Sequence, residues 1–158
     1  MQRPLYRLPH WCAELAGVLI LFWLVWYVAS RWGELPERLP THFNFRGEVD
    51  GWGPRKMLLY LPLTAVMVWV LLSVVSFFPS LWNYPVRVTS ANAAGLYRCS
   101  LNLLLILKLE LLVFFAYITW ASVEGENLHV YFTPLALVVI FVSVLYQIWK
   151  MWRLGKIL

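Results

Sequence analysis

Hydrophobic positions along the chain gather into four long runs that are separated by three polar connections. The runs cover about residues 11–30, 57–79, 99–121 and 131–149, and each has the roughly 20 predominantly apolar residues that a helix needs to cross a bilayer. Tryptophans lie near the ends of these runs, as is typical of membrane spans, namely Trp11, Trp32, Trp82, Trp120, Trp149 and Trp152. The pattern predicts an all-α membrane protein, a four-transmembrane-helix bundle forming a single integral membrane domain over residues 1–158.

The composition indicates that lipid is the main solvent of this chain. Of its 158 residues, 61% are hydrophobic and 13% are charged, whereas a soluble domain is about 45–50% apolar and about 25% charged. So few charges cannot cover a water-facing surface, which argues against a disordered chain, a cytosolic enzyme and a nucleic-acid-binding protein. The net charge of +5 is therefore attributed to loops that set the orientation in the bilayer, and no nucleic-acid partner is expected.

The distribution of Lys and Arg favours one orientation in the membrane. The amino terminus, the second connection and the carboxyl terminus together contain seven of these residues outside the runs, and the other two connections contain five. Because cytoplasmic loops have the excess of positive charge, we expect a multi-pass protein of the plasma membrane with both termini in the cytoplasm. The first connection, residues 31–56, is then an extracytoplasmic loop, and it contains nine of the charged residues.

This first connection has the most unusual chemistry of the chain. Residues 41–45 alternate polar and aromatic side chains, which is typical of a strand, and glycines at positions 47, 51 and 53 supply turns. We expect a small β-hairpin with a three-residue turn at 46–48. An isolated hairpin is marginal in water, so it should pack against the membrane surface or the helix ends, through Phe43, Phe45 and Trp52.

The expected register places Phe45 opposite Val49 and Asn44 opposite Asp50. His42 then shares one face of the hairpin with Asn44 and Asp50, and the aromatic side chains share the other face. A two-residue turn would instead set Asp50 beside Phe43, which would put a carboxylate against an aromatic ring.

Four roles are open for the polar side chains of this loop. They fix the turn through hydrogen bonds to the loop's own backbone, or they form a recognition surface for another molecule. Alternatively, Asp50 holds His42 as an acid–base pair in an enzyme, or both residues bind a metal together with His129 from the third connection. Zinc prefers several His or Cys ligands, and this loop has a single histidine, so we expect no cofactor and keep zinc as the alternative.

The loop also resembles a known protein family. Residues 35–56 are similar to the signature of a bacterial membrane domain of unknown function that occurs in the amino-terminal part of SdpI-like immunity proteins. The matching positions are Leu39, Pro40, His42, Phe43, Asn44, Gly47, Asp50, Gly51 and Lys56. Residues 83–98 and a lysine in the next run resemble a second element of the family, at Tyr84, Pro85, Thr89, Asn92, Tyr97 and Lys108.

The resemblance implies a non-enzymatic protein of receptor, immunity or signalling type. Better-understood relatives, which have more spans, confer immunity to a secreted peptide toxin and hold a repressor at the membrane. The outer loop would bind a peptide or an envelope component. This binding would change the conformation of the second connection, which a cytoplasmic protein partner would recognise. The residues expected to form the recognition site are His42, Phe43, Asn44, Gly47, Asp50, Gly51 and Trp52.

Three charged residues fall inside the predicted spans, and they suggest a further role. An ionisable residue near the bilayer centre costs roughly 2.5–3.5 kcal/mol on insertion scales, so it should face the bundle or reach the interface. Lys108 and Glu110 lie about 200° apart around a helix and cannot face one partner, but the long lysine side chain can reach Glu14 in the first span. We expect a buried ion pair between Lys108 and Glu14. The alternatives to the receptor or immunity function are a small transporter using Lys108 and Glu110 and a metal-assisted membrane enzyme using His42 and Asp50.

Overall fold

The structure is a computed structural model that describes residues 6–156, and in this part of the chain it contains four long helices and one hairpin. The helices are α1 (Leu8–Arg31), α2 (Tyr60–Ser76), α3 (Ala93–Glu124) and α4 (Phe132–Gly155). Each is long and apolar enough to cross a membrane, α2 together with the 3-10 turn Arg55–Leu59 that precedes it. The predicted fold class, a four-helix membrane bundle with a hairpin between its first two helices, is confirmed.

Helix α3 is the central element of the bundle and packs against the other three helices. Leu112 of α3 is fully buried together with Leu24 of α1 and Ala65 of α2. Towards the start of α3, Leu96 and Cys99 pack against Met151 of α4. Most other large apolar side chains of α1, α2 and α4 are exposed, as expected for helices whose outer faces contact lipid.

The ends of the helices differ from the ends of the apolar runs. Helix α3 has 32 residues, which is about 48 Å at 1.5 Å per residue and exceeds a bilayer core of about 30 Å. It begins at Ala93 instead of residue 99, because a tight turn directly precedes it, in which the Thr89 N–H donates to Asn92 Oδ1 at 2.8 Å. Helix α2 ends at Ser76, before the predicted residue 79.

The hairpin consists of strands β1 (Arg38–Phe43) and β2 (Val49–Pro54), which pair antiparallel. Its base is anchored on the bundle because Leu35 and Leu39 are buried against Val28 of α1. Phe43 pairs with Val49, so the connecting turn has five residues, 44–48, and the predicted pairs of Phe45 with Val49 and of Asn44 with Asp50 are wrong. The turn is longer because the Asn44 side chain forms its hydrogen bonds within the turn. Asn44 therefore belongs to the turn and not to strand β1.

The connections lie at two opposite ends of the bundle. The hairpin contacts the connection between α3 and α4, residues 125–131, through a hydrogen bond from the Leu128 N–H to the Gly47 carbonyl at 2.8 Å. At the other end the connection between α2 and α3 lies against the end of α4, where Val86 contacts Gly155. We call these the hairpin end and the terminal end, since α1 starts and α4 finishes at the latter.

Candidate functional site

The tip of the hairpin is fixed to the loop between α3 and α4. Besides the hydrogen bond from Leu128 to Gly47, the Val49 N–H donates to Asn127 Oδ1 at 2.8 Å. Gly47 has a φ of +82°, a conformation that side-chain-bearing residues rarely adopt. A Cβ atom at this position would also lie 2.5 Å from the Leu128 carbonyl oxygen. Glycine at position 47 therefore permits both the turn and the close contact between the two loops.

Asn44 stabilises the turn from within. Its Oδ1 accepts hydrogen bonds from the backbone N–H groups of Arg46 at 2.9 Å and Glu48 at 3.0 Å. Its Nδ2 donates to the Glu48 carboxylate at 2.8 Å. Asparagine commonly bonds to the backbone that follows it in turns, so the contacts of Asn44 are those of a turn-forming residue.

His42 and Asp50 face each other across the two strands on the exposed side of the hairpin. His42 Nδ1 lies 2.5 Å from Asp50 Oδ1, and the two side chains are 71% and 43% exposed. His42 pairs in register with Gly51, where a Cβ atom would lie 2.9 Å from the His42 Cβ, so the glycine leaves room for the imidazole. The bond to Asp50 engages Nδ1, which leaves Nε2 as the ring nitrogen available to an outside partner.

The aromatic residues of the hairpin are more exposed than their type would suggest. Phe45 is 65% exposed and Trp52 is 53% exposed, whereas Phe43 is half-buried. The rings are expected to pack against the membrane surface or the helix ends, and at the helix ends Leu35 and Leu39 provide the packing. Two large apolar side chains are thus exposed on the same hairpin as the His42–Asp50 pair, and this hairpin is attached at its base and at its tip.

The three-ligand metal site considered from the sequence is not formed. Near the start of α4, the His129 N–H donates to the Tyr117 hydroxyl at 3.2 Å, and the His129 ring lies 5.6 Å from that of Tyr131. Within residues 6–156, no group of three His, Cys, Asp or Glu side chains could hold a metal ion. The alternative in which His129 joins His42 and Asp50 as metal ligands is therefore not formed among these residues, because the two loops meet at the turn and not along the strands.

A cluster at the base of the hairpin was missed by the sequence analysis. The Tyr27 hydroxyl donates to the Glu124 carboxylate, which also lies 3.7 Å from the Arg31 guanidinium. Arg55, just after β2, lies over the Trp32 ring at 5.4 Å. These contacts join α1, the end of α3 and the hairpin, and no spacing in the sequence indicates them because the partners are far apart along the chain.

The charged residues inside the bundle form two separate sites. Lys108 is 2% exposed, its Nζ lies 2.5 Å from Glu14 Oε1, and it donates to Ser73 Oγ at 3.0 Å. The ion pair expected between α1 and α3 is therefore present, with a hydroxyl from α2 that the sequence did not indicate. Glu110 faces α4 instead, where the Ser143 hydroxyl donates to its Oε1 at 2.5 Å. Lys108 and Glu110 do not share a site, as their angular separation predicted.

The connection between α2 and α3 packs closely on the terminal end. The Tyr84 ring lies 5.8 Å from the Tyr97 ring and contacts the buried cluster of Leu96, Cys99 and Met151. Burial, with a smaller contribution from nearby Tyr97, raises the pKa of Tyr84 to about 12. The Asn92 side chain donates to the Arg87 carbonyl at 3.0 Å. The residues of the second resemblance element thus order this connection.

A model of a known protein family matches the part of the chain that contains the hairpin. Residues 17–66 match the family described as Domain of unknown function (DUF1648), from within α1 through the hairpin into α2. No curated protein and no solved structure matches the chain. The match includes the first resemblance element and assigns it no activity. The protein is thus a multi-pass membrane protein whose hairpin segment is similar to a domain of unknown function.

Proposed function

We propose that this protein is a receptor or immunity-type protein of the plasma membrane, which binds a peptide or an envelope component at its hairpin on the extracytoplasmic side. The observation that supports this most directly is the combination of a hairpin attached at both ends with exposed aromatic and polar side chains. A surface ordered before binding loses less conformational entropy when a partner docks. Aromatic residues are also enriched at the centres of protein interfaces.

The chemistry of the hairpin surface suits a peptide. Phe45 and Trp52 offer apolar contact. Asp50 accepts hydrogen bonds from main-chain or side-chain groups, and His42 donates or accepts them according to its tautomer. A sheet of only two strands also has two edges, and an extended peptide can pair with such an edge through its backbone. In this proposal Asn44, Gly47 and Gly51 shape the surface, and the exposed side chains contact the ligand.

The rival functions receive less support from the geometry. A metal-assisted enzyme needs a third ligand, and His129 does not join His42 and Asp50. A transporter that uses Lys108 and Glu110 together needs them in one pathway, and they contact different helices. The resemblance to SdpI-like immunity proteins agrees with the receptor proposal and suggests a secreted toxin as the peptide.

In this proposal, a conformational change caused by binding at the hairpin is transmitted to the cytoplasmic side through α3. This helix runs without a break from the turn at Asn92 to Gly125, next to the loop that contacts Gly47. A displacement of that loop would move α3 and with it the packed connection around Tyr84. We propose that a cytoplasmic protein partner binds this connection.

A growth assay tests the proposal. Cells with and without the gene are exposed to a panel of secreted peptides, and the inhibitory concentration of each peptide is measured. We expect at least one peptide to show a difference of about tenfold, which corresponds to roughly 1.4 kcal/mol of binding. Trp52→Ala and His42→Ala should abolish this difference in inhibitory concentration, while the amount of protein in the membrane stays the same.

A matched control is Trp149→Ala, which removes a comparably exposed tryptophan at the terminal end and should keep the protection. Binding of the identified peptide to purified protein in nanodiscs should follow the same order of variants. If no peptide distinguishes the two strains, or if Trp52→Ala and Trp149→Ala behave alike, the proposed function is wrong.

A further inference from the structure

A groove between α3 and α4 opens on the lipid-facing side of the bundle. Its volume is about 350 Å³, within the range of about 300–1,000 Å³ that is typical of sites for small molecules. Its walls include Val113, Phe114, Phe132, Leu135 and Val139. Glu110 is the charged residue in a lining that is otherwise apolar.

The carboxylate of Glu110 is incompletely bonded. Its Oε1 accepts the hydrogen bond from Ser143, but its Oε2 is enclosed and has no hydrogen-bond partner in the described chain. A carboxylate in apolar surroundings is costly unless a cation or further donors compensate it. The other carboxylate inside the bundle, Glu14, has such a cation in Lys108. Among residues 6–156, no cationic side chain forms a salt bridge with Glu110.

The position of Glu110 along the bundle defines how a ligand would lie. Its partner Ser143 is near the middle of α4, so Glu110 lies close to the bilayer centre. The lining residues of α4 run from Ile140 to Phe132 at the start of the helix, a distance of roughly 12 Å at 1.5 Å per residue. An apolar body of this length fits along the groove with its polar group beside Glu110.

We propose that this groove binds a lipophilic amine, a molecule with an apolar chain and one ammonium group, whose ammonium pairs with Glu110. The positive charge compensates the carboxylate in the way that Lys108 compensates Glu14, and a hydroxyl group in its place would lack that charge. The chain of the amine contacts the walls formed by α3 and α4 and enters sideways from the lipid. No hairpin residue lines the groove, and the site does not depend on the function proposed for the hairpin.

Photolabelling in lipid nanodiscs tests this site directly. The probe is a dodecylamine with a diazirine in its chain, and mass spectrometry identifies the labelled peptides of the whole protein. We expect labels on the groove segments of α3 and α4, removed by excess dodecylamine but not by dodecanol. Glu110→Gln should lower labelling there by about tenfold or more, since a hydrogen-bonded charge pair is lost.

A second pair of variants covers the case in which Glu110→Gln does not fold. Ala136→Phe fills the groove with a ring and should abolish labelling, whereas Val142→Phe adds the same bulk on the lipid-facing side of α4 outside the groove and should not. Equal labelling of Ala136→Phe and Val142→Phe would overturn the site. Equal competition by dodecanol, or unchanged labelling of Glu110→Gln, would show that the groove takes any lipid chain and would overturn the role of the charge.

Discussion

Single residues determine where the hairpin lies on the bundle, and Gly47 is the clearest case. Its φ is positive, and the carbonyl oxygen of Leu128 in the neighbouring loop lies close to the place that a Cβ atom would occupy. Asn44 acts three positions earlier and bonds the turn together through its side chain. These two residues, which the resemblance singled out as recognition residues, have contacts that explain their presence structurally, whereas His42 and Trp52 are exposed and have no comparable packing role.

We predict that Gly47→Ala separates the hairpin tip from the loop between α3 and α4. Strained backbone costs about 1–3 kcal/mol, and the contact with Leu128 adds to it. The free energy of unfolding in detergent should fall by about that amount, and proteolysis in residues 44–48 should become faster. Gly33→Ala is the control, because nothing lies within 4 Å of a Cβ atom there. Equal effects of the two substitutions would contradict the role assigned to Gly47.

We also predict strong coupling between Lys108 and Glu14. Removing one partner of a buried ion pair leaves an uncompensated charge and costs about 3–5 kcal/mol. Lys108→Met and Glu14→Gln should each be destabilising, and the double variant should cost less than the two together, as measured by unfolding in detergent. Additive costs would mean that the two charges do not interact in the folded protein.

At the scale of the elements, apolar length was sufficient to predict the helices but not how each is rotated about its axis. In a soluble helix the polar face marks the side that meets solvent. Here lipid and the bundle interior are both apolar, so the pattern has no such signal. The partners Ser73 and Ser143 therefore could not be foreseen, although Lys108 and Glu14 could be paired from charge and side-chain length.

The hairpin shows the same division between what the sequence predicts and what tertiary contacts decide. Alternating residues predicted its existence, and His42 and Asp50 were correctly expected on one face. The predicted register was wrong because the turn length depends on the hydrogen bonds of Asn44 and on the contact of Gly47 with Leu128. That contact joins two loops that are far apart along the chain, so local spacing does not indicate it.

The packed connection between α2 and α3 should be sensitive to alkaline pH. Tyr84 has a pKa of about 12 in the folded chain and an ordinary value of 10.0, so its contribution to stability is complete below pH 10. That contribution is lost as the pH rises from 10 to 12, because the unfolded chain releases the proton first. Thermal unfolding across this range should show a smaller loss of stability in Tyr84→Phe than in the parent protein. Tyr60→Phe, at an exposed ring, should behave like the parent, and a parallel loss in all three would refute the assignment.

At the scale of the whole molecule, charge is divided between the two ends. The terminal end has six described cations, Arg7, Arg87, Arg98, Lys150, Arg153 and Lys156. Glu14, in the first two turns of α1, is already paired with Lys108. The hairpin end contains acidic residues in both of its loops, including Glu48, Asp50 and Glu126. The hairpin end also has five cations, Arg31, Arg38, Arg46, Arg55 and Lys56. The orientation rule counts Lys and Arg and gives acidic residues little weight, so the small excess of cations at the terminal end is the basis on which we propose that this end is cytoplasmic.

Cysteine labelling with a membrane-impermeant reagent tests this orientation. Cys12→Ser and Cys99→Ala first remove the native thiols, and single cysteines are then introduced at Arg46 and Ser90, which are both exposed. In intact cells only Arg46→Cys should react, and Ser90→Cys should react after the membrane is opened. Reaction of Ser90→Cys alone in intact cells would invert the topology and place the hairpin in the cytoplasm.

The contact between the hairpin and the last loop also has a consequence for the order of folding. Val49 and Asn127 bond to each other across 78 positions of the chain, so the loop that completes the hairpin's attachment is synthesised only after α2 and α3. The segment 38–54 must therefore remain outside the bilayer without this attachment until α2 and α3 have been inserted. Contacts between distant parts of a chain form slowly, so we expect docking of the hairpin to be the last step of assembly. Protease protection of the hairpin during synthesis should consequently appear only once the chain has grown past residue 128.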